Sequence, residues 1–188
     1  LTLGLYPGVA YQSGLLSTPF HRVYFSNDDL RVERIPGTRL KIPLGVQLNA
    51  FIGDRWILRN YYRYYWDDFG IVSHTLNVES AIRLTPLFSI TGIIRLYTQT
   101  GSDFFSPFDG HDPDAIFYTS DYDLSDFYSV KPGLALRFSP YPRSSITSLK
   151  AVELRYSFYN RSDGLKAHAL TLFVDLAVDQ QYARKRNR

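Results

Sequence analysis

The sequence predicts an all-β protein, more specifically an antiparallel transmembrane β-barrel of the outer-membrane type. Three observations indicate this fold. Apolar and polar residues alternate with a period of two along eight segments, as they do in strands with two unlike faces. Several of these segments are longer than the five or six residues typical of strands in soluble domains. Asp outnumbers Glu 15 to 3, which favours turns over helices.

The segment 39–52 gives the clearest alternation. Leu40, Ile42 and Leu44 begin an apolar face that continues to Ile52, while Arg39 begins the opposite, more polar face. A helix would mix the two sets, whereas a strand separates them. Fourteen residues extend about 45 Å at about 3.3 Å per residue. This is more than a tilted membrane strand of about 9–11 residues needs.

The same alternation, weaker at the start of the chain, predicts eight strands in one barrel domain over residues 1–178. They lie near 1–12, 39–52, 55–68, 74–84, 88–99, 126–138, 151–159 and 167–178. Short connections (53–54, 85–87 and 139–148) alternate with longer ones (13–38, 67–73, 100–125 and 160–166). Such alternation is typical of periplasmic turns and extracellular loops. Both ends are therefore expected on the periplasmic side, with residues 179–188 as a basic periplasmic tail.

Alternation alone also fits a soluble barrel or β-sandwich, in which the apolar face points inward. Strand length and aromatic residues on the apolar face favour the membrane alternative. Membrane barrels carry such aromatic girdles at the two lipid–water interfaces. The predicted girdle consists of Trp56, Tyr64, Trp66, Tyr128 and Tyr156.

Composition excludes several other classes. The chain has no Cys, so disulfides, thiolate metal sites and thiol nucleophiles are excluded. No uncharged run of 18 residues free of helix breakers predicts a membrane helix. A net charge of +3 without a basic stripe does not indicate nucleic-acid binding. The absence of Met and the start at Leu1 predict a processed chain or a fragment.

Three sequence strings carry a family resemblance. STPFHRVYF (17–25), RYYWDDFGIVSHT (63–75) and FYTSDYDLSDF (117–127) resemble a family of Gram-negative outer-membrane β-barrel proteins that is catalogued as a domain of unknown function. The resemblance covers about residues 1–178. It implies the barrel fold and the bacterial outer membrane as the location, without catalytic residues. Because members look about twice as long, it also implies that this chain is the C-terminal half of a larger barrel.

The polar side of the predicted strands is basic. If the apolar side meets lipid, these residues line the lumen: Arg39, Lys41, Arg59, Arg63, Arg83, Arg95, Lys131, Arg137 and Arg155. Glu79, Glu153 and Asp175 oppose them, and Asp67 is a further candidate. One interpretation is an anion-favouring channel, because fixed cations raise the local anion concentration. The alternative is a closed barrel in which these arginines pair with acidic and Tyr residues.

The connection 101–126 is acidic and could fold inward to constrict the lumen. Its acidic residues are Asp103, Asp109, Asp112, Asp114, Asp121 and Asp123, with Asp126 at its end. Deletion of residues 103–116 is then expected to raise single-channel conductance. Asp109, Asp112 and Asp114 also form a weak Ca²⁺ candidate, although they lack the spacing of a Ca²⁺ loop and suit plain turns. We therefore expect no cofactor.

An enzyme is not expected. Ser73 and His74 are neighbours on a strand and point to opposite faces, so they cannot form a nucleophile–base pair. Asp67, Asp68 and His74 surround one loop and could meet in a hydrogen-bond network. The leading functional hypothesis is a porin-like channel. The alternative is a structural barrel subunit with a filled lumen in a multi-protein outer-membrane complex. The expected partners are outer-membrane lipid, lipopolysaccharide and other outer-membrane or periplasmic proteins.

Overall fold

Eleven strands and one short 3-10 turn form the regular structure of the chain, whose computed structural model describes residues 1–140 and 147–178. The 3-10 turn covers Tyr122–Leu124. The strands are β1 (Thr2–Pro7), β2 (Ala10–Ser13), β3 (Arg22–Tyr24), β4 (Leu30–Val32), β5 (Thr38–Ile52), β6 (Trp56–Asp67), β7 (Val72–Arg83), β8 (Phe88–Gln99), β9 (Phe127–Phe138), β10 (Thr147–Arg161) and β11 (Lys166–Val178).

Nine strands form one antiparallel sheet in the order β1-β5-β6-β7-β8-β9-β10-β11, with β2 also paired to β5. β1 and β2 follow one line along β5. They are interrupted opposite Pro43, which has no N–H to donate, and there Gly8 N–H donates to the Pro43 carbonyl at 2.9 Å. The all-β antiparallel prediction is confirmed. In the described part of the chain the sheet is open, with β1 and β11 as its edges, so these residues do not form the predicted closed barrel.

Strand positions agree with the sequence prediction to within a few residues, with three corrections. The first predicted strand, 1–12, is divided into β1 and β2, and the predicted strand 151–159 extends over Thr147–Arg161. The connections 67–73 and 160–166 were expected to be long, but they are tight turns at 68–71 and 162–165. The contrast in loop length therefore depends on 14–37 and 100–126. The predicted tail, 179–188, lies outside the described residues.

The two long connections pack on each other and form a unit that we call the cap (residues 14–37 and 100–126). The hairpin of β3 and β4, which the sequence prediction missed, lies in the first connection. Val23 and Phe25 from this hairpin are fully buried against Tyr118 from the second connection. Backbone bridges join Phe25 to His111 and Arg34 to Tyr118. Most of the fully buried apolar side chains therefore lie at one end of the sheet and not along it.

The large sheet has an unusual distribution of polarity. Its apolar face, on which the β5 residues Leu44, Val46 and Leu48 lie, is exposed; other exposed members include Leu134, Leu136, Leu154, Leu170, Leu172, Val174 and Leu176. Its polar face is the more buried one and includes Ser73, Thr75, Gln99, Ser129, Ser157 and Arg161. The strand register places these two sets on opposite sides. A water-soluble sheet normally has the reverse arrangement.

Candidate functional site: the polar face of the sheet

The polar face is concave. One cavity of about 570 Å³ at the short-turn end is lined by residues from β5 to β10, including Phe51 and Glu153. The sheet must curve for strands so far apart to border one space. The strand register places all nine predicted basic residues on this face: Arg39 and Lys41 on β5, Arg59 and Arg63 on β6, Arg83 on β7, Arg95 on β8, Lys131 and Arg137 on β9, and Arg155 on β10.

Three of these arginines form an ion-pair network with two glutamates. Arg59 lies 3.6 Å from Glu79, and Arg155 lies 3.7 Å from the same carboxylate. Arg155 also contacts Glu153 at 3.0 Å, and Glu153 lies 3.6 Å from Arg137. The network joins β6, β7, β9 and β10. Each partly exposed pair contributes little stability alone, but together the pairs fix these side chains across the concave face.

A buried aspartate lies at the cap end of the polar face. Asp67 is fully buried and accepts hydrogen bonds from the Arg39 guanidinium at 2.5 Å and the Tyr65 hydroxyl at 2.6 Å. The Phe69 and Ile71 amides donate to its second oxygen at 3.0 and 3.1 Å. These hydrogen bonds compensate for the desolvation of the buried carboxylate. Asp67 therefore ties the predicted wall residue Arg39 to the 68–71 turn.

Five predicted wall cations have no ion pair of this kind. Within the described residues, no carboxylate oxygen lies within 4.0 Å of their side-chain nitrogens. They are Lys41, Arg63, Arg83, Arg95 and Lys131. The polar face thus combines a neutralised network with uncompensated positive charge.

Arg161 is a functional candidate that the sequence prediction missed. It lies at the end of β10, buried, and donates to Asp123 at 2.6 Å and to Asp163 at 2.7 Å. It also donates to the Tyr122 carbonyl at 3.0 Å and stacks 4.2 Å from the Phe127 ring centroid. The hydrogen bond from Arg161 lowers the pKa of the Asp163 carboxyl. Arg161 therefore fastens the cap to the sheet.

The acidic cap residues do not pair with the basic wall. In the described chain none lies within 4.0 Å of the nine predicted wall cations, and Asp123 pairs instead with Arg161 at the end of β10. Asp112 and Asp121 accept hydrogen bonds from the amides two residues later, as turn residues do. Asp103, Asp109, Asp112, Asp114 and Asp123 are exposed and Asp121 is half-buried. No three His, Asp or Glu residues in the described chain are grouped to hold a metal ion, so the structure does not gather the Ca²⁺ candidate.

The cap is joined by polar contacts that sequence reasoning did not identify. Glu33 is buried and accepts hydrogen bonds from the Thr119 hydroxyl and the Thr18 amide, both at 2.5 Å. His111 is also buried and its Nε2 lies 3.0 Å from the Thr119 carbonyl, which requires a proton on Nε2. Burial lowers the pKa of His111. A turn signal at residues 27–29, between two short alternating segments, could have indicated the hairpin.

The predicted girdle residues all lie on the apolar face: Trp56, Tyr64, Trp66, Tyr128 and Tyr156. Trp56 is at the short-turn end of β6, where its Nε1 donates to the Ser80 hydroxyl at 2.8 Å. Trp66 is at the opposite end of β6, near the cap. The aromatic residues therefore occupy both ends of this face.

Two similar Tyr–His hydrogen bonds satisfy further polar atoms on the apolar face. The Tyr62 hydroxyl contacts His74 Nδ1 at 2.7 Å, and the Tyr156 hydroxyl contacts His168 Nδ1 at 2.8 Å. The two pairs belong to the equivalent hairpins β6–β7 and β10–β11, whose turns each have a glycine with positive φ. His74 thus bonds Tyr62 and does not form the expected cluster with Asp67 and Asp68. As expected, Ser73 lies on the opposite, buried face.

The fold and the site define an all-β protein with a long antiparallel sheet, an exposed apolar face and a charged concave face. No helix in the described residues is long and apolar enough to cross a membrane. Residues 3–172 match the family described as "Protein of unknown function (DUF3570)". The chain belongs to that family. Comparisons with curated proteins and with solved structures give no match.

Proposed function

We propose that this chain forms the wall of an outer-membrane β-barrel in a Gram-negative bacterium, with its apolar face toward lipid and its polar face toward a lumen. The observation that carries this proposal is the exposed apolar face. Leu170 and Leu172, for example, are 71% and 62% exposed. Removing apolar surface from water contributes about 25 cal/mol per Å². Lipid around the apolar face would remove this surface from water and stabilise the protein without any change in the structure of the sheet.

The composition of the apolar face supports the same proposal. In the described strands, its charged residues are confined to Lys166, at the first position of β11, and to Lys150, in a bulge of β10. The Tyr–His and Trp–Ser hydrogen bonds satisfy polar atoms within the face. Unsatisfied polar groups are costly in hydrocarbon. The long strands, of 12–15 residues, exceed the about 9–11 residues that a span needs.

The two open edges of the sheet need further strands to pair with. β1 and β11 have unpaired backbone groups on their outer sides, and lipid cannot satisfy them. Additional strands must therefore close the sheet into a larger barrel. Such strands would come from a longer form of this chain or from another copy. Outer-membrane lipid and lipopolysaccharide are the proposed surroundings of the closed wall.

For the lumen we propose a porin-like channel that favours small anionic solutes. Basic residues on the polar face outnumber acidic ones, and Lys41, Arg63 and Arg83 lack carboxylate partners in the described part of the chain. Fixed cations attract anions in a narrow channel. The network around Glu79 and Glu153 is the proposed constriction, because it connects strands across the concave face.

A filled structural barrel in a multi-protein complex is the second candidate. The same ion-pair network favours it, because salt bridges between facing strands can occupy a lumen instead of bordering one. The cap over one end of the sheet supports this alternative as well. Such a barrel would conduct little current, and other outer-membrane or periplasmic proteins would purify with it.

Reconstitution of the complete barrel, including the strands that close the sheet, into planar bilayers tests these functions. We expect stepwise current with reversal potentials that indicate anion preference. Glu79→Gln removes one negative charge from the network and is expected to increase both conductance and anion preference. Asp28→Asn, in the exposed β3–β4 turn and outside the concave face, is the charge-matched control. Protein that inserts into vesicles but carries no current would favour the structural barrel. Protein that remains soluble and does not insert would refute both membrane functions.

A further inference from the structure

Two like charges face one cavity below the cap. Arg95 on β8 and Lys131 on β9 are directly opposite each other in the antiparallel register, so their Cβ atoms are about 4.5–5.5 Å apart. Like charges at such positions repel each other and destabilise the sheet. The described residues provide no carboxylate within 4.0 Å of either side chain. An anion between them would remove the repulsion.

The cavity that both side chains line has a volume of about 280 Å³. Its other charged lining residues are Arg161 and Asp123. Arg161 pairs with Asp123 and also with Asp163, both at 2.6 Å, so both carboxylates are already bound at this side of the cavity. Neither carboxylate lies within 4.0 Å of Arg95 or Lys131, so the described residues give these two cations no ion-pair partner at the cavity. Ser129 and Tyr159 add hydroxyl groups to the same lining.

The cap segment that borders this cavity, at Asp123, is held in place before any ligand binds. Gln99, at the end of β8, is buried, and its Nε2 donates to the carbonyls of Asp123 at 3.0 Å and Ser125 at 2.5 Å. The Gln99 side-chain oxygen accepts a hydrogen bond from the Tyr97 hydroxyl at 2.6 Å. Because this segment is already ordered, ligand binding loses less conformational entropy.

We propose that this cavity is a binding site for a small phosphate-type oxyanion. Phosphate groups carry about −1.5 to −2 charges at pH 7 and present several acceptor oxygens, which suits two adjacent cations with hydroxyl donors beside them. The site requires only the polar face and the cap. It therefore goes beyond the proposed channel, and its binding is measurable in detergent solution without any current.

Titration calorimetry of the purified chain with inorganic phosphate tests the site, at constant ionic strength and with chloride as the comparison anion. We expect saturable phosphate binding that chloride does not reproduce. Arg95→Gln and Lys131→Gln should each weaken binding about tenfold or more, because each removes a charge-assisted hydrogen bond. Arg22→Gln is the matched control, since Arg22 is exposed on β3, lines neither cavity and should leave affinity unchanged.

Conservative variants distinguish a loss of charge at the site from misfolding of the protein. Arg95→Lys and Lys131→Arg keep the charges and should retain most of the affinity. Glycerol 3-phosphate distinguishes free from esterified phosphate, and saturable binding of either one supports the site. Absence of saturable binding of both inorganic phosphate and glycerol 3-phosphate, equal binding of chloride, or an equal loss with Arg22→Gln would overturn the proposal. A channel without phosphate binding refutes only the site, whereas binding without current refutes only the channel.

Discussion

His111 is a buried ionisable residue in a position that favours its neutral form. Its ring packs 5.6 Å from the Phe25 centroid and 6.1 Å from the Tyr118 centroid. Its Nε2 contacts the Thr119 carbonyl and, at 3.4 Å, the Ser120 hydroxyl. No carboxylate in the described residues contacts it to stabilise a second proton. Burial accordingly lowers its pKa below the ordinary 6.5.

This pKa shift predicts that the cap weakens in acid. Because the folded pKa is below the unfolded value, the unfolded state binds the proton more readily. The cap therefore keeps its full stability above about pH 6.5 and loses stability as the pH falls from there toward the lowered pKa. The measurement is the hydrogen-exchange protection factor of the Val23 and Thr119 amides, that is, exchange corrected for the intrinsic pH dependence of amide exchange, and this protection factor should decrease in this range.

Two variants identify the group responsible. His111→Gln should abolish the pH dependence. His21→Gln should retain it, although the His21 ring lies 3.3 Å from Glu33 in the same cap. Unchanged protection factors in the cap between pH 7 and pH 5 in the unmodified protein would contradict this prediction.

At the scale of single elements, the strands were largely predictable from the sequence and the cap was not. Strand faces follow from a local period of two, so the sequence alone assigns the apolar and polar sides of β5 to β11. The cap depends on contacts between residues far apart in the chain, such as Glu33 with Thr119, 86 residues later. Nothing local indicates which loops pack together. The ion pair of Arg155 with Glu79 depends likewise on the curvature of the sheet, because it joins β10 to β7.

The cap is predicted to unfold independently of the sheet. Phe25 is fully buried, with the Tyr118 ring 4.8 Å from its centroid and the Arg31 guanidinium 4.2 Å away. Phe25→Ala should destabilise the cap by about 3–5 kcal/mol. Hydrogen exchange should then increase throughout 22–32 and 111–119 but remain slow in β6 and β7. Phe20→Ala is the control, because Phe20 is 89% exposed. Equal loss of protection in the cap and in the strands would show that they unfold together.

At the scale of the whole molecule, the apolar face and the polar face should respond oppositely to the same substitution. Ile93 and Ile94 are neighbours near the middle of β8 and point to opposite faces. Ile94 is opposite Val78 on the apolar face, whereas Ile93 is opposite Glu79 on the polar face. These two positions therefore allow a comparison that holds residue type, strand and depth constant.

Ile94→Arg is predicted to destabilise the protein in lipid, whereas Ile93→Arg is tolerated. An Arg at the lipid midplane costs about 2–4 kcal/mol in a membrane barrel. An Arg at position 93 can instead pair with Glu79 across the strands. The measurement is the free energy of unfolding by urea in lipid vesicles. If the apolar face were exposed to water, Ile94→Arg would change stability by about 0.5 kcal/mol or less. Equal effects of the two variants would therefore exclude lipid contact at the centre of β8.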